Sequence, residues 1–187
     1  MTAAGKTHKL PEPFVVLATQ NPIEQEGTYP LPEAQLDRFM FSLSVGYPSR
    51  AEEEQIVNGT TGDSSPNVSR VLDAAQLVAL QHLVRRLPAA PVVVSHAVSL
   101  ARRTRPDDPE ASPEVKRYVS WGAGPRASQY LVLGAKARAA MDGRPYPDLE
   151  DVNAVALPVL RHRIVLNFQG EADGVKVEQL IAQPSKR

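Results

Sequence analysis

The 187 residues include no cysteine. This absence excludes a disulfide-bonded scaffold, a thiolate metal site and a cysteine nucleophile, and it fits a reducing cytoplasm. An excess of charge of one sign is also lacking, because 21 Lys and Arg balance 21 Asp and Glu. A chain that mainly holds a nucleic-acid backbone is usually basic. The 4 histidines are dispersed, without metal-ligand spacing. We therefore expect no nucleic-acid partner and no metal site.

Long apolar runs are missing as well. The longest lies near residues 92–94, far short of the roughly 20 residues that cross a membrane. Residues 1–9 contain no apolar segment typical of a secretory signal. The hydrophobic fraction of 42% is ordinary for a globular protein. The sequence predicts a cytoplasmic protein with no membrane partner.

Two short apolar runs near the start predict strands. Residues 14–18 (Phe-Val-Val-Leu-Ala) lie between prolines, the pattern of a strand buried on both faces of a parallel sheet. Residues 31–38 predict a short helix with Pro32 at its first position, and residues 39–45 predict a second strand. Since two strands do not make a stable parallel sheet, we expect residues 1–47 to be the C-terminal part of a larger α/β domain.

Helical patterns dominate after Tyr47-Pro48. Asp73 and Asp148 are plausible N-caps, Asp142-Gly143 ends the strongest predicted helix, and residues 164–181 predict a small hairpin. The predicted helices cover residues 51–57, a stretch after Asp73, residues 92–104, residues 125–141 and a stretch after Asp148. The predicted fold class is an α/β remnant at residues 1–47, followed by a mostly α-helical domain at residues 48–187.

Gly5-Lys6-Thr7 has the ending of a phosphate-binding loop. The full pattern requires another glycine five residues earlier, and a helix should follow it. A proline-rich stretch follows instead, so we interpret Gly5-Lys6-Thr7 as a turn. No acidic pair follows an apolar strand, as a Mg²⁺ site of this kind requires. We expect the chain on its own to be inactive as an ATP hydrolase.

The most specific stretch is ATQNP at residues 18–22, followed by EGTYPLPEAQLDRF at residues 26–39. It resembles the signature of MoxR-type AAA+ ATPases. WGAGPRA at residues 121–127 and VLRHRI at residues 159–164 are similar to the helical lid of that family. The resemblance implies the C-terminal part of such an ATPase. ATP and Mg²⁺ would then be bound in the complete protein, with the phosphate-binding loop and the Mg²⁺ ligands upstream.

Asn21 lies just past the end of the first predicted strand, and ligands of open α/β sheets bind at the carboxyl ends of strands. An amide can donate to one oxygen and accept from a water, which suits a group that orients the attacking water or the γ-phosphate. The alternative is a turn, because Asn-Pro is a common turn dipeptide. The resemblance implies that Asn21 is the first sensor, a catalytic residue acting in its own subunit.

Arg38 carries a planar, always-charged fork that matches phosphate oxygens. The alternative is a local ion pair with Asp37 or Glu33, although neither lies at a favoured helical spacing. The resemblance implies that Arg38 is the arginine finger, a catalytic residue reaching the nucleotide of the neighbouring subunit.

Arg126 lies in the first turn of a predicted helix, where a cation opposes the helix dipole and a bound phosphate would offset the cost. The alternative is an ordinary surface arginine. The resemblance implies that Arg126 is the nucleotide-binding second sensor, acting in either its own or the neighbouring subunit. Arg161, His162 and Arg163 suit the C-terminal end of a helix; a contact to nucleotide or to a neighbouring subunit is the alternative.

Two functions from different classes follow. The resemblance implies ATP binding and hydrolysis in a homo-oligomeric, hexameric ring, coupled to chaperone-like remodelling or maturation of client proteins. A von Willebrand factor A protein is a partner that it suggests. The alternative is a non-enzymatic helical module for interaction or oligomerisation.

Overall fold

The computed structural model describes residues 2–3, 5–20, 31–63 and 68–182. These residues are largely helical, with two small antiparallel sheets, in agreement with the mostly helical character predicted after residue 48. In chain order the elements are β1 (Thr2–Ala3), β2 (Lys6–Thr7), α1 (Glu33–Leu36), α2 (Arg50–Thr60), α3 (Ala74–Arg86), α4 (Pro91–Arg102), α5 (Pro113–Tyr118), β3 (Val119–Trp121), α6 (Pro125–Met141), α7 (Leu149–Leu160), β4 (Val165–Leu166), α8 (Phe168–Ala172) and α9 (Val177–Ile181).

The chain divides into two compact units. One comprises residues 1–14 and 43–79, and the other comprises residues 15–42 and 80–187. Helix α3 crosses from the first unit into the second. The division by sequence at residues 47 and 48 remains a prediction.

The first unit contains β1, β2, α2 and the start of α3. Strands β1 and β2 pair antiparallel, and Gly5, in the connection between them, has a φ of 74°, which glycine adopts without a steric cost. The interpretation of Gly5-Lys6-Thr7 as a turn is confirmed for Gly5 only, because Lys6 and Thr7 form strand β2. Helix α2 begins with a capping box, in which Glu52 N donates to Ser49 Oγ and Ser49 N donates to Glu52 Oε2.

The two predicted strands are wrong as strands. Residues 14–18 and 39–45 belong to no sheet in the described part of the chain. Their large apolar side chains are mostly exposed, with Leu17 at 92% and Val45 at 93%. The physical reason is that a strand exists only as a member of a hydrogen-bonded ladder, and the described residues provide these segments with no ladder partner.

The hydrophobic core lies in the second unit, where helices α4, α6 and α7 pack on one another. Most of its side chains are small, and alanine is the most frequent type. A Cβ added at Gly134 on α6 would lie 3.2 Å from the Val155 side chain of α7, so these two helices approach closely. The buried alanines are Ala97, Ala101, Ala111, Ala123, Ala127, Ala135, Ala139 and Ala156.

Local signals place the ends of α6 and α7. Pro125 is the first residue of α6, and Gly143, just beyond its end, has a φ of 71°. Asp148 caps α7 in a capping box with buried Asp151. Arg144 donates to both carboxylate oxygens of Asp151, at 2.6 and 2.8 Å. The hydrogen bonds from Arg144 lower the pKa of Asp151 to about 2.

The hairpin predicted for residues 164–181 is wrong. Strand β4 pairs antiparallel with the distant β3, and the rest of that stretch forms α8 and α9. Tertiary pairing with β3 therefore replaces the local turn that Gly170 and Gly174 suggest. Among the described residues no single helix is long and apolar enough to cross a membrane, although α3 and α4, bent by 96°, meet the length and composition together.

Candidate functional site

Of the three predicted site residues, two can be located. Asn21 lies outside the described residues, so its role as the first sensor stays a prediction. Arg38 and Arg126 both lie in the second unit. They come from distant parts of the sequence, one just after α1 and the other in the first turn of α6.

Arg38 follows the C-terminal end of α1. Its amide donates to the Gln35 carbonyl at 3.1 Å, which continues the last turn of the helix. Its own carbonyl accepts a hydrogen bond from the Tyr130 hydroxyl at 3.2 Å. The residue is exposed, and no ion pair of its guanidinium occurs within the described part of the chain. The local pair with Asp37 or Glu33, considered as an alternative, is not formed there.

Asp37, next to Arg38, pairs with two arginines from distant parts of the chain. Its Oδ2 accepts a hydrogen bond from Nη1 of Arg126, and its Oδ1 accepts one from Nε of Arg163 at 2.9 Å. The Arg126 side chain is 43% exposed and the Arg163 side chain only 1%. One carboxylate therefore pairs with a partly accessible cation and with a buried one. The carboxylate also offsets the unfavourable position of Arg126 at the start of α6.

Arg163 makes the most contacts in the site. Its Nη2 donates to the carbonyl oxygens of Asp37 at 2.8 Å and Phe39 at 2.6 Å. Its Nη1 donates to the Val159 carbonyl in the last turn of α7, and its guanidinium lies 5.2 Å from the centroid of the Tyr130 ring. Burial lowers the pKa of Arg163, while the hydrogen bond that Arg163 donates to Asp37 acts in the opposite direction. An arginine remains charged at neutral pH, so this is a buried cation with its donors satisfied.

The two neighbours of Arg163 differ from it. His162 Nε2 lies 2.7 Å from Arg163 Nη1 and 3.2 Å from the Phe39 carbonyl oxygen. Burial, followed by the charge of Arg163, lowers the pKa of His162, which keeps the ring neutral near pH 7. Arg161 instead donates to Glu178 of α9 at 2.5 Å. The three basic residues that sequence reasoning treated as one group therefore have three different environments.

A tight turn places Arg126. Thr104 Oγ1, which is buried, accepts a hydrogen bond from the Ala123 amide at 2.8 Å, and Arg105 Nε donates to the Ala123 carbonyl at 2.9 Å. A Cβ on Gly122 would lie 2.3 Å from the Thr104 carbonyl oxygen, so only glycine fits there. The Gly-Ala-Gly-Pro sequence before Arg126 is thus fixed against the end of α4.

Sequence reasoning identified Arg38 and Arg126 but missed Asp37 and Arg163 as partners. These two lie 126 residues apart, and no spacing rule relates such positions. Within the described ranges no cluster of three or more His, Asp or Glu side chains could hold a metal ion. The side chains suited to binding a nucleotide are the arginines, because a guanidinium binds carboxylate and phosphate oxygens through the same donors. Arg126 already binds a carboxylate oxygen of Asp37.

Comparisons with known proteins identify the family of the chain. Residues 1–41 match the model of the ATPase family associated with various cellular activities (AAA), and residues 111–184 match that of the AAA lid domain. The chain is 40% identical to the chaperone MoxR1 of Mycobacterium tuberculosis over 97% of its length and 48% of the relative's. It is 35% identical to the uncharacterized protein YeaC of Bacillus subtilis over 98% of this chain and 55% of that one. The chain thus spans about half the length of the curated relatives that it matches.

A solved structure matches the fold. It is a crystal structure of a candidate ATPase from Cytophaga hutchinsonii, with a TM-score of 0.90 and 34% identity, covering 97% of this chain and 55% of that chain. The matches to AAA core and AAA lid define the class of protein as an AAA+ ATPase. Within that class, the chain belongs to the MoxR family, as the motifs at residues 18–39 indicate.

Proposed function

We propose that this chain forms the C-terminal part of an ATP-hydrolysing ring protein, and that Arg38 and Arg126 both contact the ATP held by the neighbouring subunit. The phosphate-binding loop and the Mg²⁺ ligands would come from sequence outside these 187 residues, so the chain alone would be inactive. The observation that carries the proposal is the ion pair between Arg126 and Asp37, the residue that directly precedes Arg38.

The chemistry of the two arginines supports this assignment. Arg38 is exposed, and an arginine finger that stabilises the transition-state charge of phosphoryl transfer contributes roughly 10³–10⁵ in rate. Arg126 is partly exposed and binds Asp37. A phosphate oxygen would compete with this carboxylate for the same guanidinium donors. Asn21 would orient the attacking water or the γ-phosphate in its own subunit.

The shared carboxylate also bears on which subunit Arg126 serves. Asp37 and Arg38 are consecutive, and Arg126 contacts Asp37 directly, so the two arginines lie on one part of one subunit. If Arg38 reaches the nucleotide of a neighbour, Arg126 is placed to reach the same nucleotide. We therefore propose that the second sensor acts between subunits, together with the finger.

The wider role follows from the family. We propose a homo-oligomeric ring, hexameric as in related AAA+ proteins, that works in the cytoplasm. Its hydrolysis would drive chaperone-like remodelling or maturation of client proteins, and a relative that is 40% identical to this chain is called a chaperone. A von Willebrand factor A protein is the partner that the family resemblance suggests.

Mixed rings of the complete ATPase test the assignment. Arg38→Ala should abolish hydrolysis and leave ATP affinity nearly unchanged, because the finger acts on the transition state. Mixing Arg38→Ala subunits with subunits disabled in the phosphate-binding loop should restore part of the activity, since some junctions combine an intact loop with an intact finger. Mixing Arg126→Ala subunits with the loop-disabled subunits should do the same. Arg50→Ala, at a side chain that is 94% exposed, is the control and should retain full activity.

The decisive mixture combines Arg38→Ala with Arg126→Ala subunits. If both arginines serve the neighbour's nucleotide, every junction receives both groups from one subunit and always lacks one of them, so activity stays at zero. If Arg126 serves its own subunit, some junctions are complete and activity returns, which would contradict the proposal for Arg126. The formation of mixed rings is verified by mass. If the mixtures with loop-disabled subunits then regain no hydrolysis, this would contradict the finger assignment.

A non-enzymatic interaction module is the second candidate. The observation that favours it is the exposed apolar run that contains Phe14 and Leu17, which are 61% and 92% exposed. Under this alternative the chain docks on another protein, and Arg38→Ala in the complete protein has no effect on phosphate release.

A further inference from the structure

Three consecutive backbone carbonyls around Arg38 are held by side chains of the helical domain. Arg163 Nη2 donates to the carbonyls of Asp37 and Phe39, at 2.8 and 2.6 Å. The Tyr130 hydroxyl donates to the carbonyl of Arg38 itself, at 3.2 Å. A little further on, the Ser42 amide donates to the Pro158 carbonyl at 2.9 Å. The backbone that carries Arg38 is therefore fixed on both sides while its side chain stays exposed.

Burying the guanidinium of Arg163 costs free energy, and a contribution to stability alone does not explain why it is buried. Removing a guanidinium from water is unfavourable unless it is paired and fully hydrogen-bonded, and the Arg163 side chain is only 1% exposed. Its donors face segment 37–40 and the last turn of α7, which ends just before it. A catalytic group that reaches across a subunit junction must be oriented closely, because a misplacement of about 1 Å can reduce the rate about 100-fold.

We propose that Arg163 is a positioning residue for the arginine finger: it fixes the backbone of segment 37–40 and so orients Arg38 toward the nucleotide. The inference rests on the proposed function, in which Arg38 is the finger. Arg163 itself touches no nucleotide. It acts through the carbonyls and the carboxylate of Asp37.

Arg163 also keeps Asp37 paired when Arg126 binds a phosphate. The two arginines use different oxygens of the carboxylate, Oδ1 for Arg163 and Oδ2 for Arg126. Arg126 can therefore leave Asp37 for a phosphate oxygen without leaving a partly buried carboxylate unpaired, which would be unfavourable. A lysine at position 163 would keep the charge but could not donate to Oδ1 and both carbonyls in one fixed geometry.

The test uses two variants of Arg163 and one matched control. Arg163→Lys keeps the buried charge opposite Asp37, and Arg163→Met keeps a similar length without charge. Arg161→Met is the control, because Arg161 lies in the same turn, contacts Glu178 and does not touch segment 37–40. Circular dichroism of each variant checks that it folds, and at least one of the two Arg163 variants is expected to keep the wild-type spectrum.

The first measurement is hydrogen exchange on the 187-residue chain, which needs no ATPase activity. The amide of Ser42 reports on the segment through its bond to Pro158. We expect both Arg163 variants to lose protection at Ser42 and the Arg161 control to keep it. Unchanged protection in a folded Arg163 variant would overturn the proposal.

The second measurement is steady-state hydrolysis by the complete ATPase, with Arg38→Ala run alongside. We expect kcat to fall about 10- to 100-fold in both Arg163 variants, with KM for ATP within about twofold of wild type because uniform ground-state binding is retained. The Arg161 control should retain its kcat. A normal kcat in a folded Arg163 variant, with Arg38→Ala inactive, would refute the positioning role alone. Full activity of Arg38→Ala would instead refute the proposed function, and the positioning role with it.

Discussion

The ion pair between Asp151 and Arg144 gives a prediction of defined size. Asp151 is buried, with 2% of its surface exposed, and it accepts two hydrogen bonds from Arg144. Its pKa falls from 3.8 to about 2. At 1.36 kcal/mol per pKa unit, this corresponds to an estimated stabilisation of about 2.5 kcal/mol at neutral pH.

Asp151→Asn removes that charge and keeps the side-chain shape. We expect it to lower the free energy of unfolding by about 2–3 kcal/mol at neutral pH, since it also leaves Arg144 without its buried partner. The measurement is urea unfolding of the 187-residue chain, followed by circular dichroism. Asp142→Asn is the matched control, because Asp142 contacts the same guanidinium at 2.9 Å but is 56% exposed. An exposed pair of this kind contributes less than about 1 kcal/mol.

The pH dependence separates the charge from the packing. Because the folded pKa of Asp151 is lower than the unfolded value, its contribution is complete above the unfolded value of 3.8 and is lost as the pH falls toward about 2. The difference between wild type and Asp151→Asn should therefore be constant from about pH 7 to about pH 5 and shrink below about pH 4. A loss no larger than that of Asp142→Asn at neutral pH, or a difference independent of pH, would contradict a stabilising charge on Asp151.

Two further variants probe the site. Gly122→Ala should lower the free energy of unfolding by about 2–3 kcal/mol, because its Cβ would meet the Thr104 backbone. Gly124→Ala is the control, because its Cβ meets nothing within 4 Å, and it should lower the free energy of unfolding by less than about 1 kcal/mol. Equal melting temperatures of the two variants would contradict this prediction. The pKa of His162 lies below its usual 6.5, so the wild type should lose stability as the pH falls below that value, when the unfolded chain binds a proton that the buried ring does not. His162→Gln should remove this part of the pH dependence in urea unfolding.

The parts of the fold that sequence predicted well are those with local causes. Helix α6 has its predicted bounds, residues 125–141, because a proline starts it and a glycine at positive φ follows its end. The Asp148 cap is confirmed, and Asp73 accepts a hydrogen bond from the Gln76 amide at 2.7 Å, as a cap does. Each of these signals involves residues within a few positions of one another.

The parts that sequence predicted poorly depend on distant partners. Residues 14–18 have the composition of a strand, but composition does not supply the ladder that makes one. In the site, the family motifs identified Arg38 and Arg126, whereas the carboxylate and the buried arginine that organise them did not emerge from any pattern. Asp37 looked like a weak local partner of Arg38, and its pairing with Arg126 and Arg163 is purely tertiary.

The alanine-rich contact among α4, α6 and α7 affects how the helical domain can move. An alanine methyl group has no rotamers, so the contacts made by Ala97, Ala127 and Ala135 cannot adjust by changing side-chain conformation. The close approach at Gly134 removes the remaining freedom to slide. These helices are therefore expected to move as one block, so that a displacement at the Arg126 end of α6 would also move its far end near Met141.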